Sequence, residues 1–140
     1  MSSSGNATPK LIEPPVTEAS APFWDATREQ RFVLPWSTAT GRPVWFPRDV
    51  DPMAPDTPFD WREASGDGVI YAASVHHKAG PGRDPEAGPY VVALVELPEG
   101  VRMMTNIVDC PPDDVVVGMP VRLVWQPLSD GRHLPQFTPA

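Results

Sequence analysis

From Trp61 onward, apolar and polar residues follow one another in short runs divided by turn residues, the pattern of strands rather than helices. Ser65-Gly66-Asp67-Gly68 reads as a turn or bulge, and Val69 to Lys78 as a long strand. Ala79 to Gly88 reads as a hairpin loop. Tyr90 to Leu97 is almost wholly apolar, which predicts a central strand. Pro98-Glu99-Gly100 is a tight turn, and Val101 to Val108 the next strand. Pro111 to Gly118 reads as a loop or one-turn helix with Val115 and Val117 facing inward. Met119 to Gln126 is a fourth strand, Ser129-Asp130-Gly131 a turn, and His133 to Thr138 a last strand.

Such a series predicts a mainly β chain closing into a small antiparallel barrel. An OB-fold fits the size and spacing best, and an SH3-like barrel or small sandwich fits the same elements. Upstream, a helix is predicted from Thr17 or Ser20 to about Phe32, with Ser20 as cap and Pro22 in the first turn. Phe23, Trp24 and Thr27 share one side of it, and Arg28, Glu29 and Arg31 face solvent. Pro35 to Asp60 is proline-rich, and Val44-Trp45-Phe46 is its one strand-like stretch. The chain divides into a flexible arm at 1–20, a helical segment at 21–34, an irregular segment at 35–60 and the barrel at 61–140.

Composition sharpens this. Prolines number 20 in 140 residues, which disfavours a helical domain. The net charge of −7 opposes binding to duplex nucleic acid or anionic membranes. Scattered Arg and Lys outnumbered by acids also fail the pattern of a single-strand-binding barrel. The lone Cys110 excludes an internal disulfide and a cysteine-rich metal site. With no long apolar run and no leader pattern, the reading is a soluble cytoplasmic protein.

No catalytic constellation emerges. His76 and His77 are adjacent on a strand and point to opposite faces, and His133 stands alone. Cys110 follows Asp109, which disfavours a thiolate. Asp113-Asp114 and Asp49 with Asp51 lie in proline-bounded loops, and Asp113 or Asp114 fits the end of a short turn. Gly80-Pro81-Gly82-Arg83 lacks the spacing of a phosphate cradle. The excess is aromatic: Phe23, Trp24, Trp36, Trp45, Phe46 and Phe59 exceed what so small a barrel needs, which marks them as partner-interface anchors.

The order of several short pieces resembles the DUF35 family, acyl-CoA-associated proteins that join a rubredoxin-like zinc ribbon to an OB-fold. The pieces are Phe23-Trp24, Pro47-Arg48, Gly68-Val69-Ile70-Tyr71 with Val75 and His76, and the run Pro89 to Leu97. Thr105-Asn106-Ile107-Val108, Gly118-Met119-Pro120-Val121 and Leu134-Pro135-Gln136-Phe137 complete them. In the ribbon, Gly41 and Pro52 match the family's fixed residues, but its four cysteine positions fall on Ser37, Thr40, Asp51 and Ala54. The resemblance therefore implies a degenerate ribbon at 35–60 with no zinc and no other cofactor. It implies a non-catalytic accessory subunit in a hetero-oligomer with a thiolase-like protein, either an acyltransferase or a retro-aldolase. The chain would stabilise that partner and shape its channel for acyl-CoA. Arg48 and Arg83 are candidate contacts to coenzyme A or another anion. The alternative is a free-standing acyl-CoA binding protein.

Overall fold

The computed structural model describes residues 13–45, 58–77 and 88–140. The expectations for the arm before Glu13, for Phe46, Arg48, Asp51 and Ala54, and for the loop bearing Arg83 lie outside the described residues. The elements run α1 (Ala21–Thr27), β1 (Val33–Ser37), β2 (Phe59–Glu63), β3 (Asp67–His76), β4 (Tyr90–Glu96), β5 (Arg102–Ile107), β6 (Pro120–Pro127) and β7 (His133–Pro139).

Strands β3 to β7 close into a barrel in the order β3-β4-β5-β7-β6, with β6 pairing back onto β3. Every pairing is antiparallel except β5 with β7, which is parallel and holds a single register pair, Ile107 with Phe137. The barrel is the expected small antiparallel one, closed by this single parallel seam. β4 lies between β3 and β5, and its burial alternates strictly along Tyr90 to Glu96. Its inward residues Val91 and Val95 meet Ile70, Met103, Val121 and Phe137 in the core. Phe137 is 0% exposed, and burial of a side chain that size contributes about 2–3 kcal/mol.

The N-terminal helix is shorter than its pattern predicts. Arg31 N–H donates to the Ala26 carbonyl at 3.0 Å and Gln30 N–H to the Thr27 carbonyl at 2.9 Å. Those two bonds are a Schellman closure, and Gln30 takes the left-handed position at φ 55°. The chain then reverses, and Val33 to Ser37 forms a strand across the boundary between the expected helical segment and the expected irregular one. At the other end Ser20 makes no side-chain cap. Thr17 and Ser20 instead bond reciprocally, Thr17 N–H to Ser20 Oγ at 2.9 Å and Ser20 N–H to Thr17 Oγ1 at 3.1 Å, a capping-box geometry one turn earlier.

β1 and β2 form a separate two-stranded antiparallel ribbon, Val33 opposite Glu63 through Ser37 opposite Phe59. The expectation that Val44-Trp45-Phe46 holds the only strand in this region is corrected. Pro35 is tolerated inside β1, and its carbonyl accepts from Val44 N–H at 2.8 Å. Between β5 and β6 the one-turn helix appears at Pro112–Asp114. Val115 is half-buried there, but Val117 faces solvent, against expectation.

Candidate functional site: an apolar groove between helix and barrel seam

The C-terminal end of α1 docks on the β6–β7 hairpin. The buried Thr27 hydroxyl donates to the Trp24 carbonyl at 2.7 Å and accepts from His133 N–H at 3.2 Å. His133 Nδ1 lies 2.7 Å from the Thr27 carbonyl, so the ring donates from Nδ1 to the helix end. Arg28 reaches the Asp130 carbonyl from the helix side.

Arg132 fixes the segment before the helix. Its Nη1 donates to the Pro14 carbonyl at 2.7 Å and its Nε to Asp130 Oδ2 at 2.7 Å, while the guanidinium lies over Trp24. Glu13 adds a carboxylate that accepts from Ser129 N–H and Oγ. From Glu13 onward the expected flexible arm is therefore pinned to the barrel. Desolvation pushes the Asp130 carboxyl up. The hydrogen bonds from the Arg132 backbone and side chain, with the charges of Arg132 and Arg28, outweigh it and hold the group below the ordinary carboxylate range.

These contacts raise one wall of a groove of about 390 Å³. The opposite wall is the barrel seam. Along Arg102 to Asn106, β5 has no ladder partner on its β7 side among the described residues. Pro135 of β7 offers no N–H there, and Thr105 Oγ1 bridges the gap to its carbonyl at 3.0 Å. Met103, Met104, Leu134, Phe23, Trp24 and Trp45 supply most of the lining, with Pro14 and Pro15 along the rim. Asn106 spends its amide on the Val91 carbonyl at 3.0 Å. Among the described residues no charged side chain lines the groove, whose polar lining is Thr17, Ser20, Thr105 and Asn106. Such a surface selects shape and apolar character.

The sequence-predicted residues are distributed unequally. Phe23 and Trp24 turn inward, 2% and 8% exposed, with ring centroids 5.0 Å apart, and Phe23 meets Trp45 at 5.0 Å. They pack in this chain's own core and line the groove. Trp36 lies under the Arg62 guanidinium at 5.1 Å, and Phe59 is half-buried on the ribbon. Thr27, Arg132 and His133 carry the architecture, a role that the sequence does not assign to any of them. Only their burial marks them, because they meet across more than a hundred residues.

Ser37 and Thr40 are not metal ligands here. Ser37 is buried, and its Oγ accepts from Thr40 N–H at 3.3 Å, while Gly41 N–H closes on the Ser37 carbonyl at 2.9 Å. A serine hydroxyl bonded within the turn and a neutral threonine hydroxyl do not fit a tetrahedral zinc site. Among the described residues no three His, Cys, Asp or Glu groups converge on a metal position. Half-buried Cys110 directs its thiol at the Pro111 carbonyl, and exposed His76 stacks on Tyr90. No described helix is long and apolar enough to cross a bilayer.

A five-stranded closed barrel with one parallel seam, preceded by a helix and a two-stranded ribbon, defines the class as an OB-fold with an N-terminal appendage. Residues 61–126 match the family described as ChsH2, C-terminal OB-fold domain. A chain of the solved structure titled Ltp2-ChsH2(DUF35) aldolase is 35% identical, with a TM-score of 0.79, 91% of this chain covered and 98% of that one. A probable enoyl-CoA hydratase alpha subunit of Thermomonospora curvata is 37% identical over 135 residues, 94% of this chain and 41% of its own length. A DUF35 domain-containing scaffold protein of Methanocaldococcus jannaschii is 40% identical over 89 residues, 62% of each chain. The chain thus spans well under half of the hydratase subunit and about three fifths of the scaffold protein. It belongs to the DUF35/ChsH2 OB-fold family.

Proposed function

We propose that this chain is a non-catalytic accessory subunit of an acyl-CoA-processing complex. The observation that carries the reading is the likeness, over 98% of its length, to a chain from a structure titled as an aldolase. The likeness to a hydratase alpha subunit points to the same substrate chemistry. The groove agrees with it, being mostly apolar and uncharged among the described residues. In this reading the partner holds the reacting groups, and this chain stabilises it and shapes the path of the acyl chain. The finer form names a thiolase-like partner that transfers an acyl group or cleaves a carbon–carbon bond. Arg48 and Arg83 remain candidate contacts to the coenzyme.

The test is reconstitution. The full chain is tagged in its native cells, the enzyme that accompanies it in stoichiometric amount is identified, and that enzyme is assayed with and without the chain. The expected result is an acyl-CoA enzyme whose soluble yield or turnover falls about tenfold or more without the chain, a difference worth roughly 1.4 kcal/mol. Turnover by the purified chain alone, abolished by Cys110→Ser or His76→Ala, refutes it. A monodisperse chain that binds acyl-CoA esters with no companion favours the free-standing binder, for which the groove is the supporting observation.

A further inference from the structure

The barrel's outer surface is unevenly apolar. Among the described residues six large hydrophobics are exposed, and five of them, Val69, Tyr71, Met104, Val116 and Val117, are 44–61% exposed on adjoining strands and one loop. Val69 and Tyr71 point outward from β3. Leu94 of β4 is the register partner of both Ala72 and Met104, which carries the face across to β5. Gly118 N–H donates to the Ile70 carbonyl at 2.8 Å and Ile70 N–H to the Met119 carbonyl at 3.1 Å. Those bonds hold the Val116-Val117 loop against β3 beside Val69 and Tyr71.

The face is also preformed. Arg102 lies 3.6 Å from the Tyr71 ring centroid and 3.5 Å from the Glu96 carboxylate, so the tyrosine is held flat by a cation that is itself paired. Val69 borders a shallow depression of about 600 Å³ lined by Leu97, Pro98 and Pro120 together with Asp67 and Glu96. Asp113 and Asp114 sit on the helical turn that leads into Val116, and neither forms an ion pair among the described residues.

We propose that this outer face is a docking surface for a partner protein whose contact patch is apolar at its centre and basic where it meets Asp113 and Asp114. The inference rests on the accessory-subunit reading and deepens it by naming the surface and the partner's chemistry. Exposed apolar clusters rimmed by charge mark association sites, and a fixed tyrosine is a favoured anchor. Unpaired carboxylates select the partner's sign. A second copy of this chain meeting face to face would bring two such acidic pairs together on a molecule of net charge −7, which opposes self-association. Anionic lipid is opposed for the same reason.

The test uses the full chain tagged in its native cells, as wild type, Val116→Glu/Val117→Glu, Asp113→Lys/Asp114→Lys, and Val16→Glu as an exposed control that is not one of the five residues of this face. The quantity measured is the acyl-CoA-processing enzyme recovered with each. The purified pair is then titrated at about 50 and about 500 mM salt. Recovery should match wild type for Val16→Glu and fall about tenfold or more for Val116→Glu/Val117→Glu. Asp113→Lys/Asp114→Lys should weaken binding and reverse or flatten its salt dependence. Circular dichroism melting at the wild-type temperature separates lost docking from lost folding. Should melting drop, the same loss read with Val117→Ser decides. Equal recovery for all variants overturns this surface while leaving the accessory reading intact. A wild type that captures no acyl-CoA enzyme overturns both. A wild-type dimer that Val116→Glu/Val117→Glu splits overturns the choice of a foreign, basic partner, as does binding to anionic vesicles through this face.

Discussion

The guanidinium of Arg132 lies 4.8 Å from the ring centroid of Trp24, and its side chain is only 5% exposed. One residue thereby joins the helix, the segment before it and the β6–β7 turn, because its nitrogens also reach the Pro14 carbonyl and Asp130. Arg132→Ala removes the stacking, two hydrogen bonds and the packing of the stem together. The expected cost is about 2–3 kcal/mol in urea denaturation. Arg132→Lys should recover less than half of it, since an ammonium cannot bond Pro14 and Asp130 while lying flat on the indole. Full recovery by lysine would reduce the contact to simple charge pairing.

Asp130 gives this cluster a pH dependence of defined sign. Its carboxyl titrates lower in the folded chain than in the unfolded one. Its contribution is therefore complete above the ordinary carboxylate value, about 3.9, and is lost as pH falls through the depressed folded value. The melting temperature of wild type should exceed that of Asp130→Asn by a constant margin above about pH 5, narrowing below about pH 4. A margin unchanged at low pH would assign the effect to the side chain's shape.

Gln30 occupies the left-handed C-terminal position of the helix, where a side chain costs about 1 kcal/mol relative to glycine. Its side chain is exposed, so little packing is lost with it. Gln30→Gly is expected to raise stability by about 0.5–1 kcal/mol, less a few tenths for the freer unfolded chain. A loss would mean that the two Schellman bonds do not set where the helix ends.

Much of the barrel is legible in the sequence because Tyr90 to Glu96 and Arg102 to Ile107 put alternate residues inside, which leaves a period-two signature. The ribbon is not legible. Pro35 interrupts the pattern of β1, and the apolar–polar alternation of β2 runs only from Phe59 to Arg62, in the proline-rich stretch, with Phe59 and Trp61 only half-buried. The helix end was missed because Gln30 adopts a conformation that glycine usually announces. The aromatic surplus was visible, but not its direction: Phe23 and Trp24 turn inward because Thr27 and His133, 106 positions apart, fix the roll of the helix. The parallel seam that opens the groove depends on the relative placement of β5 and β7, which no local pattern encodes.

Gly68 offers the sharpest test of how the barrel closes. It sits on β3 opposite Val121 of β6, facing the interior. A Cβ there would lie 2.3 Å from Val95 Cγ1, 3.3 Å from the Glu96 carbonyl oxygen and 3.5 Å from Leu97 Cδ2. Val95 is 0% exposed and has no free space to retreat into. Gly68→Ala must therefore push β3 away from β4 or force Val95 off its rotamer, at an expected cost of about 1–3 kcal/mol. Val95→Ala alone should also destabilise, by about 1–3 kcal/mol through the cavity it leaves. The double variant is the informative one, because Cγ1, one of the two methyls removed from Val95, makes room for the methyl added at Gly68. Its loss should fall short of the sum of the single losses by 1 kcal/mol or about that amount in a double-mutant cycle. Strictly additive losses would show that glycine is needed for its backbone at the barrel corner instead of the space beside Val95.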